Sequence, residues 1–398
     1  MHLLDIFKSV KKFEAISLFV GALYFSNAAF ADEQKKIEWL THQLENNKLV
    51  DSYKGDNRDL SYIYDQALSV IAFSEAGEFG KAKNVLDAIV EIQNSDGSWY
   101  SSYRASDSFR LDLNKDSGNV AWMIMAINYY EKISGDDNYY SVADKALNFL
   151  KSRIDFNSSN ETFGSITHST QLPNARSTEH AHDVYSAFYE RSMLRSDLDI
   201  SELEDIASNV KEYVRREMWA PSSTSNGPYH NVNVFWVGFN NFGWYTDPQS
   251  WGVLSQGTNG ANGEEYFRSL DWLWFNPYGS TRNLVSYNDI EADGFRGNTG
   301  EQDFIWVEGT EGVASAFYSI GNTTRGDYFH NQMKIVEQDS GGLIFSFSDV
   351  NPEDNRRWPD NYRLEAINAT AWHYFNERKI NPFHPERKTS AKNWRSYK

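Results

Sequence analysis

Two stretches combine acids, histidines and aromatic residues at spacings that can do chemistry. Trp306-Val307-Glu308-Gly309-Thr310-Glu311-Gly312 sets two glutamates one turn apart at the head of a small-residue helix, directly behind a tryptophan. Ser177-Thr178-Glu179-His180-Ala181-His182-Asp183 packs four titratable groups into five residues, behind a Ser or Thr suited to an N-cap. A helix N-terminus carries partial positive charge and unpaired N–H groups, so capping alone accounts for one acid in each place. Pairs of carboxyls can do more. Cleaving a glycosidic bond needs one acid for the leaving oxygen and a second carboxylate as base or nucleophile. Burial beside aromatic rings raises the pKa of the acid. Glu308, Glu179 and Asp183 are the leading candidates. Glu179 and Asp183, four apart, share a helix face. Trp306, Glu311, His180 and His182 are assigned to substrate binding. His180 and His182 fall on different sides of the helix, so no two-histidine metal site is expected within this stretch.

Two further helix starts carry an acid beside aromatics. In Tyr62-Ile63-Tyr64-Asp65-Gln66, Asp65 is a fourth catalytic candidate and Tyr64 a binding one. In Tyr245-Thr246-Asp247-Pro248-Gln249-Ser250-Trp251, Thr246 or Asp247 caps and Pro248 suits the first helical position. Asp247, Trp251 and Trp244 are read as binding residues, with the rings as a platform for amphipathic ligands. Asp289, Glu291, Asp293 and Asp303 could hold calcium, but a solvated acidic loop accounts for them. No cofactor and no metal is expected. A Gly-x-Ser-x-Gly elbow is absent, which leaves a Ser-His-Asp hydrolase unsupported.

Helices must position these residues. Apolar residues recur at steps of three and four in about twelve segments, with little strand signal between them. One set is apolar on most sides, as in Ala121-Trp122-Met123-Ile124-Met125-Ala126, and is expected to be buried on both sides. The other set is amphipathic, as in Lys81-Ala82-Lys83-Asn84-Val85-Leu86-Asp87, and suits an outer layer. The buried set begins near Asp65, Asn119, Glu179, Asp247, Glu308 and Glu365. Buried-to-outer connections are mostly short. The return connections run to roughly 25–30 residues, a length that in compact domains tends to be functional. Helical hairpins in a ring place all long loops, and all inner helix starts, on one face.

The bulk composition limits the partners. The 398-residue chain has a net charge of −17, which repels phosphates and argues against nucleic acid. It has no cysteine, so disulfides, thiolate metal sites and Cys nucleophiles are excluded. Thirteen Trp, 23 Tyr and 25 Phe supply a core and rings to spare for a groove. Residues 1–31 read as a secretory signal, with Lys8, Lys11 and Lys12, an apolar run from Ala15 to Phe25, and Ala29-Phe30-Ala31 at the cleavage point. Asp5 and Glu14 are untypical of a signal, so a retained anchor stays an alternative. No integral span is expected after cleavage, and the mature protein is placed in the periplasm or outside the cell. The domain reading is 1–31 signal, 32–378 helical domain and 379–398 basic tail.

Six inner helices within six outer ones make an all-α (α/α)6 toroid. In this hairpin pattern the chain resembles the six-hairpin glycosidase-like superfamily, over nearly all of residues 32–378. The resemblance implies a substrate cleft on the long-loop face, a carboxylate pair and stacking aromatics. It implies an enzyme hydrolysing a polysaccharide or oligosaccharide, with inversion favoured by analogy. Two alternatives stay open: a polysaccharide lyase with a Tyr or His base, and a non-catalytic glycan-binding or assembly protein. Gln93…Asp96-Gly97-Ser98-Trp99 looks like the QW motif of squalene and hopene cyclases. It occurs clearly once, without their Asp-x-Asp-Asp acid motif, and reads as a helix-end packing device.

Overall fold

The fold is taken from a computed structural model that describes residues 31–44, 48–55, 57, 59–195, 199–220, 233–275, 282–287, 290–297, 304–348 and 363–384. Residues 1–30 of the signal read over 1–31, and residues 385–398 of the tail, lie outside the described residues, as do Asp289 and Asp303.

Among the described residues the helices form two concentric layers. The outer layer is α1 (residues 31–44), α3 (Phe79–Ile92), α5 (Tyr140–Lys151), α7 (Ile200–Tyr213), α9 (Arg268–Phe275) and α11 (Thr323–Lys334). The inner layer is α2 (Ile63–Glu75), α4 (Ser117–Ser134), α6 (Thr178–Leu194), α8 (Thr246–Gln256), α10 (Val307–Ser319) and α12 (Ile367–Arg378). Inner neighbours pack in chain order, and α12 returns to α2, which closes the ring. This is the (α/α)6 toroid expected from the hairpin pattern.

Burial follows from composition. On α3, Ala82, Val85, Leu86 and Ile89 form one buried stripe at helical spacing, and the lysines face water. On α4, Val120 to Tyr130 is buried throughout, because the ring lies on one side and the outer layer on the other. Gly135 ends α4 in the left-handed region, at φ 74°, where a residue without Cβ is unstrained.

The first helix and the last close the circle. Lys36 of α1 is fully buried, with Nζ 3.0 Å from Glu377 of α12, 3.1 Å from Glu337 and 3.5 Å from Asp32. Arg378 of α12 adds a bond to Glu33 at 3.1 Å.

The domain runs past Arg378. Ile380, Asn381, Phe383 and His384, counted in sequence with the tail, are buried. The Phe383 ring lies 5.0 Å from Trp122 and 5.5 Å from Trp251, inside the ring of inner helices. Asn381 Nδ2 donates to the Leu254 carbonyl at 2.9 Å.

Short strands do occur, and they lie in the long loops. β1 (Leu60–Tyr62), β2 (Ser102–Arg104) and β3 (Arg110–Asp112) form an antiparallel sheet, and β1 runs directly into α2. β4 (Trp219–Ala220) pairs with β5 (Val234–Phe235), and β6 (Arg282–Tyr287) with β7 (Ile290–Phe295). β8 (Phe304–Trp306) pairs with β9 (Ser346–Ser348) and runs into α10. Most are too brief to show a period-two pattern, which is why the sequence hides them. They tie the loops to the mouths of the inner helices. Asp293, read as part of a solvated acidic loop, sits in β7 and is held by Arg282 and the Tyr328 hydroxyl.

Candidate active site

A cavity of about 290 Å³ opens where the inner helices begin. Tyr64 of α2, Trp122 of α4, Glu179, His180 and Asp183 of α6, Asp247 and Trp251 of α8, and Glu308 of α10 all line it. The loops add Asp116, Tyr245, Gly297, Phe304, Trp306 and Phe345. Helix capping sets several of these positions. Asp116 caps α4, accepting from the Gly118 N–H at 3.1 Å and the Asn119 N–H at 3.4 Å. Ser177 caps α6 through the His180 N–H. At α8 the expected cap is absent. Tyr245 holds the cap position without a side-chain bond, and Thr246 Oγ1 donates to the Arg296 carbonyl at 2.6 Å. Asp247 stands in the first turn of α8 and lines the cavity.

Glu308 is not a cap either. The Tyr64 hydroxyl donates to its Oε1, and Asn368 Nδ2 of α12 donates to its Oε2 at 2.6 Å. Trp372 Nε1 donates in turn to the Tyr64 hydroxyl at 2.8 Å. Burial pushes the Glu308 carboxyl up to about 8, with the nearby Asp65 and Glu179 charges adding to it and the two donors opposing. Across the cavity, burial and the Glu179 and Asp116 charges raise Asp183 well above the usual carboxylate range. Glu179 is half-buried, and its carboxyl is raised by the same loss of water. Burial thus keeps Glu308 protonated at neutral pH, while the α6 carboxyls that face it have raised proton affinity.

Its floor is aromatic. Trp122 and Trp251 pack edge to face at 5.5 Å, Tyr64 meets Trp122 at 5.1 Å, and Trp372 stacks on Trp251 at 6.2 Å. At the rim the Trp306 ring lies over Gly309, where a Cβ would stand 2.3 Å from the ring. Gly309→Ala is therefore expected to destabilise the protein by about 1–3 kcal/mol through overpacking. Urea denaturation reads this directly. An unchanged midpoint would mean that the ring swings aside at no cost.

Four residues expected at the site lie elsewhere. Asp65 is one residue on from Tyr64, about 100° further round the helix. It is buried near Ser52, away from the cavity lining, and burial lifts its carboxyl to about 7. Glu311 points into the packing between α10, α11 and α12. It meets His373 Nδ1 at 2.6 Å, His330 Nδ1 at 3.1 Å and Asn376 Nδ2 at 2.5 Å. Burial alone would raise Glu311; the two histidines outweigh it and hold the carboxyl well below the usual range. Burial likewise disfavours charge on His373, but Glu311 and Glu377 outweigh it and lift the imidazole to about 9. His182 is buried between α6 and α8, with Nδ1 3.0 Å from the Gln256 amide, and burial depresses it to about 3. Trp244 packs edge to face on Trp272 at 5.3 Å, outside the lining.

Sequence reasoning missed Asp116, Phe304, Phe345 and Asn368. Asp116 carried a signal, since an acid stands directly before Ser117-Gly118-Asn119 at the head of a buried helix. Phe304 comes from β8 and Phe345 from the loop just before β9, and they carry none.

No family model and no curated protein matches the sequence. Solved structures do. A glycosidase in complex with glucose aligns with TM-score 0.66 at 9% identity, over 88% of this chain and 96% of that one. A D-mannose isomerase aligns at 0.60 and 10% identity, over 89% and 98%. The fold is that of the six-hairpin, glycosidase-like toroids. An α-amylase from Clostridium perfringens aligns at 0.58 and 11% identity, over 88% of this chain and 98% of that one. At these identities the toroid is what is shared, and the chemistry must be argued from the cavity.

Proposed function

We propose that this toroid is an exported carbohydrate-active enzyme that hydrolyses glycosidic bonds in a polysaccharide or oligosaccharide. One observation carries the reading. Glu308 of α10, a buried carboxyl with raised proton affinity, faces the Glu179 and Asp183 carboxyls of α6 across one aromatic-floored cavity. The similar glycosidase with bound glucose and the similar α-amylase support the same chemistry.

In this reading Glu308 gives its proton to the glycosidic oxygen as the bond to the anomeric carbon breaks. A carboxylate of α6, Glu179 or Asp183, takes a proton from the water that attacks that carbon, which inverts it. Water's hydroxyl ends on the sugar and the proton of Glu308 ends on the leaving alcohol. Trp122, Trp251, Trp306 and Tyr245 offer apolar faces to sugar rings, and Asp247 and Asn119 accept or donate to hydroxyls.

The test is a glycan cleavage screen with purified protein and with periplasmic and culture fractions. New reducing ends of inverted anomeric configuration are expected. The acid works only while protonated, so kcat/KM should fall as pH rises through about 8. Ultraviolet absorbance from an unsaturated product would overturn hydrolysis in favour of a lyase. Binding across the panel without turnover would overturn the enzymatic reading altogether.

A further inference from the structure

We propose that Asp116, His168 and His180 bind one first-row divalent transition-metal ion, of the zinc type, on the wall of the cavity. Their ligand atoms all lie within 4.8 Å of one another. His180 Nε2 is 3.3 Å from Asp116 Oδ1, and His168 Nδ1 is 3.8 Å from Asp116 Oδ2. Two ligands of a tetrahedral ion with bonds near 2.1 Å stand about 3.4 Å apart, close to the spacing of each histidine nitrogen from the Asp116 carboxylate.

The hydrogen bonds leave ring nitrogens suited to a metal. His180 Nδ1 lies 3.1 Å from the His168 carbonyl, which can only accept, so Nδ1 carries hydrogen. In the neutral ring Nε2 then presents a lone pair to a carboxylate oxygen, and two acceptors face each other. The buried His168 Nδ1 has no hydrogen-bond partner among the described residues. The His168 and His180 rings lie 4.2 Å apart, centroid to centroid. One divalent cation satisfies all three atoms together. A ring nitrogen donating to a backbone carbonyl is also how metal-binding histidines are usually oriented.

The trio is held by rigid parts. Asp116 is the cap of α4 and His180 stands in the first turn of α6. The His168 carbonyl accepts from the Ser117 N–H at 3.0 Å, and Asp116 bridges to Ser169. Gly118 makes the approach feasible, since a Cβ there would stand 2.7 Å from His180 Cδ2 and 3.0 Å from Nε2. Asp116 and His180 both line the cavity, so the remaining coordination positions face it and suit a sugar hydroxyl or carboxylate. Glu311, His330 and His373 also converge. There both imidazole Nδ1 atoms already meet the Glu311 carboxylate, which the Asn376 amide also holds.

The proposal stands independently of hydrolysis, and its test reads metal directly. Chelator-stripped protein is titrated with Zn²⁺ by calorimetry and with Co²⁺ by visible absorption. Wild type should bind one equivalent, with d–d bands showing nitrogen ligands. Asp116→Asn keeps a competent cap for α4, and His168 is partly exposed, so Asp116→Asn and His168→Ala should both fold. Each should weaken binding by more than the 10–100-fold, about, that losing a ligand's hydrogen-bond partner costs. His330→Ala should bind like wild type. Failure of the wild type to bind, equal binding by both variants, or loss only in His330→Ala would each overturn the assignment.

Discussion

Glu308→Gln should lower kcat by about 10²–10⁴-fold, the range that a positioned acid or base contributes. The amide keeps the shape of the carboxyl, so the protein should fold and still bind its glycan. What it loses is the proton. The Tyr64 hydroxyl, held by the Trp372 indole, and the Asn368 amide fix the carboxyl in place. Burial keeps it protonated to about pH 8. The basic fall of kcat/KM near that pH should therefore vanish from the residual activity of the variant. Steady-state kinetics on a cleaved glycan, over a range of pH, measures both effects. Undiminished turnover, or an unaltered basic limb, would remove Glu308 from the role of acid.

Lys36→Met should cost about 3–5 kcal/mol of stability, as expected when one partner of a buried ion cluster is removed. Lys36 is fully buried and carries the positive charge between Glu377, Glu337 and Asp32, at 3.0, 3.1 and 3.5 Å. Methionine fills the space of the stem but leaves these carboxylates facing one another. The cluster joins α1, the first of the described helices, to α12, the last of them. The ring should therefore open first at that seam. Urea denaturation of the variant gives the loss, and hydrogen exchange in α1 and α12 locates it. Adding Glu377→Gln should recover part of the loss by removing one of the orphaned charges. A loss under about 1 kcal/mol would show that the seam is held by apolar packing and not by charge.

The sequence was informative where a pattern is local. Stripes such as Ala82, Val85, Leu86 and Ile89 mark an outer helix without reference to anything distant. The apolar run of α4 marks a helix covered on both sides. Alternating short and long connections then require a ring with one functional face, and Glu308, Glu179, Asp183, Asp247, Tyr64 and Trp251 do line one cavity there. Strands were the weak point. β4 and β5 have two residues each and exist only because distant loop segments cross.

Which acids turn toward the cavity was a different matter. On an outer helix, hydrophobicity separates inside from outside. On an inner helix both sides are buried, and the pattern carries no such sign. Glu308 and Glu311, one turn apart at one helix start, are both expected at the site from sequence, the first as catalytic and the second as binding. One reaches Tyr64 and Asn368 at the cavity, while the other reaches His330 and His373 in the seam with α11 and α12. Tyr64 and Asp65 part in the same way. Asp116, more than fifty residues before His168 and His180, meets them only because the α4 cap and the start of α6 share one mouth. Local spacing determined the helices, their two classes and the face on which chemistry is possible. Tertiary packing alone decided the rest, because neighbours from distant segments, not periodicity, set the rotation of a helix buried on all sides.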